Sequence, residues 1–200
     1  TGFRAPSLYE IAYNSGPFAY PPASSAPLLE EESEGWEIAV LGSLGNLDLE
    51  LIWFNQEIDN EIIFDLAGYS GYLQTNGTSS SEGLEIIASL PLSERWRIEG
   101  NFTSLDATRQ NGDDRAYRPD QTGQVSIVWT RNDLRARVTG RYTGEATDPF
   151  MTSINDTFTI DLSAQWDLSD RWALEARVLN VTDHDGQQLP GYYVPGMTAY

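Results

Sequence analysis

The sequence predicts an all-β chain, an antiparallel up-and-down sheet of the kind that walls a transmembrane β-barrel. Three observations carry this. Apolar and polar residues alternate with period two from about residue 34 to the end, tight turns alternate with long polar loops, and tryptophans gather at one level of the apolar face.

Residues 1–33 precede the alternation and read as an irregular loop segment, because Pro6, Pro17, Pro21, Pro22 and Pro27 interrupt any regular helix or central strand. The clearest strand is 157–168. There Phe158, Ile160, Leu162, Ala164, Trp166 and Leu168 share one face and Thr157, Thr159, Asp161, Ser163, Gln165 and Asp167 the other. A helix would not sort residues in this way. The same pattern marks 47–53 and 134–142, and weaker forms run through 36–42, 84–90, 96–102, 125–129 and 172–178. These make eight strands, with the start of a ninth near Met197. The turns at 44–46, 91–94, 131–133 and 169–171 hold Gly, Pro, Asn and Asp, whereas the stretches at 60–78, 107–120, 145–156 and 180–195 are long and polar. One bare end and one decorated end is the asymmetry of outer-membrane barrels, whose short turns are periplasmic.

Trp96, Trp129, Trp166 and Trp172 all lie on the apolar face close to a short turn, as a girdle at a lipid–water boundary would. The opposite face carries Glu37, Asp48, Glu50, Glu85, Arg97, Glu99, Arg135, Arg137, Arg141, Asp161, Glu175 and Arg177 in mid-strand. That many charges need water or a polar partner, so this face is either a wet lumen or the solvated side of a one-sided sheet. Alternation by itself fits both, and a soluble sandwich binding module remains the rival that the tryptophan level disfavours.

Composition removes other classes. The 200 residues carry 30 acidic side chains against 12 basic ones, all Arg, for a net charge of -18, which excludes a basic nucleic-acid footprint. With no cysteine and one histidine, His184, thiol chemistry, Cys-based zinc sites and a Ser-His-Asp triad drop out. No apolar run approaches the ~18 residues of a membrane-spanning helix. The chain opens at Thr1 without a leader, and Thr1 is expected not to be the biological start. Asp183-His184-Asp185 is a compact polar cluster, but its setting among turn residues points to Asp capping before metal binding. No catalytic residue, cofactor or metal site is expected, and the chain is read as a non-enzyme.

Several segments resemble the TonB-dependent outer-membrane receptors. Thr1-Gly2-Phe3-Arg4-Ala5-Pro6-Ser7-Leu8-Tyr9-Glu10 is similar to a segment of that family's barrel, and the acidic run from Leu29 to Glu37 stands where the family has its next strand start. Ser81-Glu82-Gly83-Leu84-Glu85 and Tyr117-Arg118-Pro119 follow in family order. Leu179-Asn180-Val181-Thr182-Asp183, Gly191-Tyr192 and Pro195-Gly196-Met197-Thr198-Ala199-Tyr200 resemble its C-terminal block, with Met197 where the family usually has Arg. The resemblance implies one partial barrel domain over residues 1–200, roughly strands 14 to 21 of a 22-stranded barrel plus the start of the last, with the plug domain and energy-coupling box outside the chain. It implies the outer membrane of a Gram-negative bacterium, contact with its lipid, the TonB protein as partner through the missing N-terminal part, and active uptake of a scarce nutrient. An iron–siderophore complex is the expected ligand, with cobalamin, haem or an oligosaccharide as alternatives. A small closed barrel with a structural or adhesive role is the other reading. Lumen-facing candidates for ligand contact are Arg135, Arg137, Arg141, Glu99, Asp161, Glu175 and Arg177, with Arg141 nearest the outside. Gly2, Phe3, Arg4, Ala5, Pro6, Asn180, Asp183, Pro195 and Gly196 carry the family motifs.

Overall fold

Period-two patterning becomes one continuous meander in the computed structural model, which describes residues 1–74 and 77–200. Positions 75 and 76 of the predicted 60–78 loop lie outside the described residues. A short strand β1 (Gly2–Arg4) is followed by eight long ones: β2 (Glu31–Leu44), β3 (Leu47–Asp59), β4 (Thr78–Pro91), β5 (Trp96–Thr108), β6 (Gln121–Arg131), β7 (Leu134–Thr143), β8 (Thr157–Ser169) and β9 (Trp172–Leu179). A two-residue strand β10 (Thr198–Ala199) completes a ten-stranded sheet in which each strand pairs antiparallel with its neighbours in this order. The eight predicted strands are all present, and the ninth begins one residue after Met197.

The tight turns close as their composition requires. Gly45 and Asn132 take the left-handed φ values of 64° and 49° that such hairpins need and that Gly and Asn tolerate best. At the other end the strands outrun their alternation. Asn55, Glu57 and Asp59 continue β3, and Ser104, Asp106 and Thr108 continue β5, with polar side chains on the face that is apolar lower down. The long connections are also more ordered than their composition suggests: Ile62–Phe64 pairs with Tyr72–Gln74, Ala146–Thr147 with Ser153–Ile154, and Gln187–Leu189 with Tyr192–Tyr193.

The first 33 residues depart most from expectation. Besides β1, they hold a seven-residue helix α1 (Leu8–Asn14), a 3-10 turn (Ala23–Ser25) and the start of β2 at Glu31. Proline governs the stretch from Pro17 onward, but Ser7-Leu8-Tyr9-Glu10 is a capping box. The Ser7 hydroxyl accepts from the Glu10 amide at 3.2 Å, and the Glu10 carboxylate accepts from the Ser7 amide at 2.6 Å. Tyr9 and Tyr13 then seat α1 edge-on against Tyr72, and Tyr13 also meets Phe64, both on the Ile62–Phe64/Tyr72–Gln74 hairpin.

No hydrophobic core lies on the sheet. The buried apolar residues are few and scattered, among them Ala23, Ile62 and Ile154 in the loops and Val128 on the polar face, while the apolar face is open: Val40 is 63%, Val125 57% and Trp166 52% exposed. A soluble sandwich would cover that face with a second sheet. A contiguous apolar surface across eight strands far exceeds what a soluble monomer presents and fits a lipid-facing wall.

Candidate functional site

The register fixes which side chains share the polar face. From β5 to β9, Arg97, Val128, Arg137, Ser163 and Arg177 stand directly across from one another. Three guanidiniums therefore occupy alternate strands of one rung, about 10 Å apart. The rung above holds Ser89, Glu99, Ser126, Thr139 and Asp161. Here the buried Ser126 and Thr139 hydroxyls bond each other at 2.8 Å, and Glu99 accepts from Arg137 at 3.0 Å and meets Arg97 at 3.7 Å.

Arg141 lies one rung higher, where Nε donates to Asp161 at 2.9 Å and Nη1 to Gln124 at 2.7 Å. Arg177 pairs with Glu175 on its own strand. Arg135 faces Thr130 and Gln165 and has no ion-pair partner among the described residues. Six of the seven predicted lumen residues thus join in three local pairings, and the wall is mixed in sign instead of uniformly basic. The guanidiniums of these pairs are exposed by 38–58%, so each pair contributes at most about 1 kcal/mol and leaves donors free for other groups.

The lipid-facing parity shows two aromatic levels. Trp96 and Trp129 meet across β5 and β6 with centroids 6.4 Å apart near the short turns, and Trp166 lies one rung closer to the turns on β8. A second level, invisible in the sequence reading, comprises the edge-on Trp36–Trp53 pair, 5.1 Å between centroids, with Phe102, Tyr142 and Phe158. Phe158 and Trp166 are eight positions apart on β8, about 27 Å along the strand or ~20 Å after a ~40° tilt, close to the height of a barrel's apolar band.

The family-motif residues are structural. Arg4 donates to Glu10 at 3.1 Å and also pairs with Glu31, whose Oε1 accepts the Ile62 amide at 2.6 Å, so one guanidinium ties β1, α1, β2 and the following hairpin together. Burial opposes the Glu10 charge, but the Ser7 amide and hydroxyl and the Arg4 guanidinium outweigh it and hold the carboxyl below its ordinary range. In the hairpin turn, the Ser70 hydroxyl and the Gly68 amide hold Asp65 low in the same way. At the far end Asn180, 3% exposed, donates to the His184 and Pro195 carbonyls and accepts from the His184 amide, while its own amide donates to Asp161. Asp183 accepts the Met197 amide at 2.8 Å, and a Cβ on Gly196 would stand 2.9 Å from its Oδ1, so a larger residue there would have to push the Asp183 carboxylate aside. Gly2, Phe3 and Ala5 are exposed and Pro6 is partly covered. Among the described residues no group of three or more His, Asp or Glu is arranged to hold a metal ion.

The sequence model of the family described as TonB dependent receptor-like, beta-barrel matches residues 1–181. The chain is 25% identical over 209 residues to the vitamin B12 transporter BtuB of Photobacterium profundum, an alignment covering 100% of this chain and 33% of that protein. Among solved structures it superposes on the copper transporter OprC with a TM-score of 0.78 at 15% identity, covering 98% of this chain and 34% of that one. On a mutant of the ferric enterobactin receptor PfeA of Pseudomonas aeruginosa the TM-score is 0.75 at 21% identity, with 98% and 36% covered. At these identities the solved structures show the fold alone. The chain spans about a third of the length of the relatives it matches.

Proposed function

Because the chain belongs to the TonB-dependent receptor β-barrel family, we propose that it forms a section of the wall of an outer-membrane active-transport receptor that takes up an iron–siderophore complex and is energised through TonB. The family is one of receptors and transporters, not of enzymes. The observation that carries the reading is the division of one sheet into an apolar outer face and a charged, water-compatible inner face, with long ordered loops at one end only. Such a wall passes a bulky polar solute through its interior while its exterior meets lipid. In this reading the long loops are extracellular, the short turns periplasmic, and the plug belongs to the rest of the protein.

On the inner wall, Arg141 is the first guanidinium below the loops, and its pairing with Asp161 and Gln124 leaves one terminal nitrogen for a passing oxyanion. Arg135 and the rung of Arg97, Arg137 and Arg177 follow deeper, balanced by Glu99 and Glu175. Together they would provide weak, successive contacts and no single tight site. A second reading, cobalamin as the ligand, is favoured by the similarity to the vitamin B12 transporter.

Uptake of radiolabelled ferric siderophores and of cobalamin by a strain lacking the gene, with and without the full-length protein, tests the proposal. Restored TonB-dependent iron uptake is expected. Restored cobalamin uptake alone would move the conclusion to the second reading, and restoration of neither would overturn both.

A further inference from the structure

The inner face is itself divided by charge. On β2 to β4 its charged side chains are all acidic, among them Glu37, Asp48, Glu50 and Glu85, and they are interleaved with Leu41, Ile52, Phe54 and Ile87. Leu41 is 68% and Ile87 38% exposed on that inner surface. From β5 to β7 the sign reverses. Arg95, Arg97, Arg135 and Arg137 line one pocket of about 220 Å³ beside the 92–95 turn, with Glu94 and Glu99 as its only carboxylates. In a chain of 12 basic residues and net charge -18, a third of the cations therefore stand in one place.

Register sets the four guanidinium-bearing residues at the corners of a rectangle. Arg97 and Arg137 flank Val128 on one rung. The Thr130 amide donates to the Arg95 carbonyl at 2.9 Å and Thr130 pairs with Arg135, so Arg95 and Arg135 flank Thr130 on the rung nearer the turns. The rectangle measures about 10 Å across the strands and about 7 Å along them. Its floor is Val128, which is buried. Glu99 serves both upper guanidiniums, Arg137 at 3.0 Å and Arg97 at 3.7 Å. Arg95 and Arg135 have no ion-pair partner among the described residues.

We propose that this pocket seats an acidic segment of the receptor's plug, in the part of the protein outside residues 1–200, with its carboxylates between Arg95 and Arg135. Charge and surface identify the occupant. Two unpaired guanidiniums call for carboxylates, and the acidic wall of β2 to β4 repels the same segment and confines it to this side. A polypeptide fits better than a free anion for two reasons. Leu41 and Ile87, exposed on the adjoining inner wall, gain from apolar cover that a dissolved anion does not give. A tethered carboxylate also acts at millimolar effective concentration, whereas a free one must be recruited from solution. The chain spans about a third of the length of the relatives it matches, which leaves ample polypeptide for such a segment. The proposal rests on the reading of this sheet as a receptor wall and adds where, and by what chemistry, that wall grips what lies inside it.

The test is photo-cross-linking in the full-length receptor, with benzoylphenylalanine in place of Thr130 and the captured peptides read by mass spectrometry. A cross-link to an Asp- or Glu-bearing segment outside residues 1–200 is expected. Arg95→Gln combined with Arg135→Gln is expected to lower its yield about fivefold, because two exposed ion pairs are lost. Arg95→Lys combined with Arg135→Lys is expected to keep most of it, and raised salt to act as the Gln pair does. Cross-links confined to residues 1–200, a captured segment without acidic residues, or a yield indifferent to the Gln pair overturns the proposal. Retention of citrate by the unaltered receptor without a cross-link to the rest of the chain would assign the pocket to a free anion and equally overturn it. Heat-modifiable gel mobility reads barrel formation, and Gln165, beside Arg135 on the same rung, carries the photoprobe if the Thr130 position does not form a barrel. Ligand uptake is a separate readout. A receptor that gives the cross-link but takes up neither siderophore nor cobalamin loses the transport reading alone, and one that transports without the cross-link loses this proposal alone.

Discussion

Replacing Leu162 and its neighbour Ser163 probes the two faces of one strand with a single residue of displacement. Leu162 lies on β8 midway between Phe158 and Trp166, directly across from Val138 and Val178, so an arginine there sits near the middle of the apolar band. Its charge would be about 10 Å from either boundary after strand tilt, and a lipid-facing Arg at the midplane costs about 2–4 kcal/mol in barrels of this type. Ser163 points inward between Arg137 and Arg177. An arginine there meets two like charges directly opposite, each worth roughly 0.2–1 kcal/mol, so Ser163→Arg is expected to cost less than Leu162→Arg but not to be silent. Ser163→Glu places an opposite charge between the same guanidiniums and is expected to be neutral or slightly stabilising. Denaturant unfolding of the full-length barrel refolded into lipid vesicles ranks the three. Equal costs for Leu162→Arg and Ser163→Glu would refute the assignment of faces, and a stabilising Ser163→Arg would refute the arginine rung.

Epitope tags at Gly112 and Asn132 in the full-length protein are expected to label on intact cells at Gly112 only, and the reverse pattern would invert the topology. Asn180→Ala removes the buried side-chain amide that donates to the His184 and Pro195 carbonyls and is expected to destabilise by about 1–3 kcal/mol in the same unfolding assay. The Arg4 clamp is expected to be pH-dependent. Because Glu10 is held below its ordinary range, its contribution is complete above the unfolded value of about 4.3 and is lost as pH falls through the lower folded value. The protection of the α1 amides, taken as the ratio of intrinsic to observed exchange at each pH from 3 to 7, is expected to fall only toward the acid end, with Glu10→Gln removing the dependence. Arg141→Ala is expected to weaken ligand binding more at low salt than at high salt with barrel stability unchanged, and salt-independent binding would leave Arg141 a structural role only.

What the sequence made legible follows from where period two holds. Strands β3, β7 and β8 alternate cleanly because lipid lies on one side and water on the other. The upper ends of β2 to β6 were missed because, above the bilayer, both faces meet water, and residues such as Asn55, Glu57 and Asp59 need not alternate with anything apolar. The upper aromatic level was lost for the same reason at β2, where Trp36 opens the predicted strand 36–42 but lies inside the longer Glu31–Leu44. Helix α1 did have a signal, the Ser7 to Glu10 capping box, outweighed by the prolines that follow it. The inner wall was legible as a face but not as a set of contacts. Arg137 and Glu99 are 38 residues apart, and only the cross-strand register places Arg97, Arg137 and Arg177 on one rung.

The central claim is that one face of this sheet meets lipid and the other water, and since these 200 residues contain no cysteine, β8 can be scanned with single-cysteine variants in a full-length receptor freed of any cysteine elsewhere. Each position from Thr157 to Trp166 is replaced in turn, reacted with a membrane-impermeant maleimide in vesicles, and read for quenching by brominated lipid after labelling with a lipid-soluble fluorophore. Positions 158, 160, 162, 164 and 166 are expected to resist the aqueous reagent and to be quenched by the lipid, with positions 157, 159, 161, 163 and 165 behaving in the opposite way. Uniform reactivity along the strand, or aqueous labelling at 160, 162 and 164, would contradict the account.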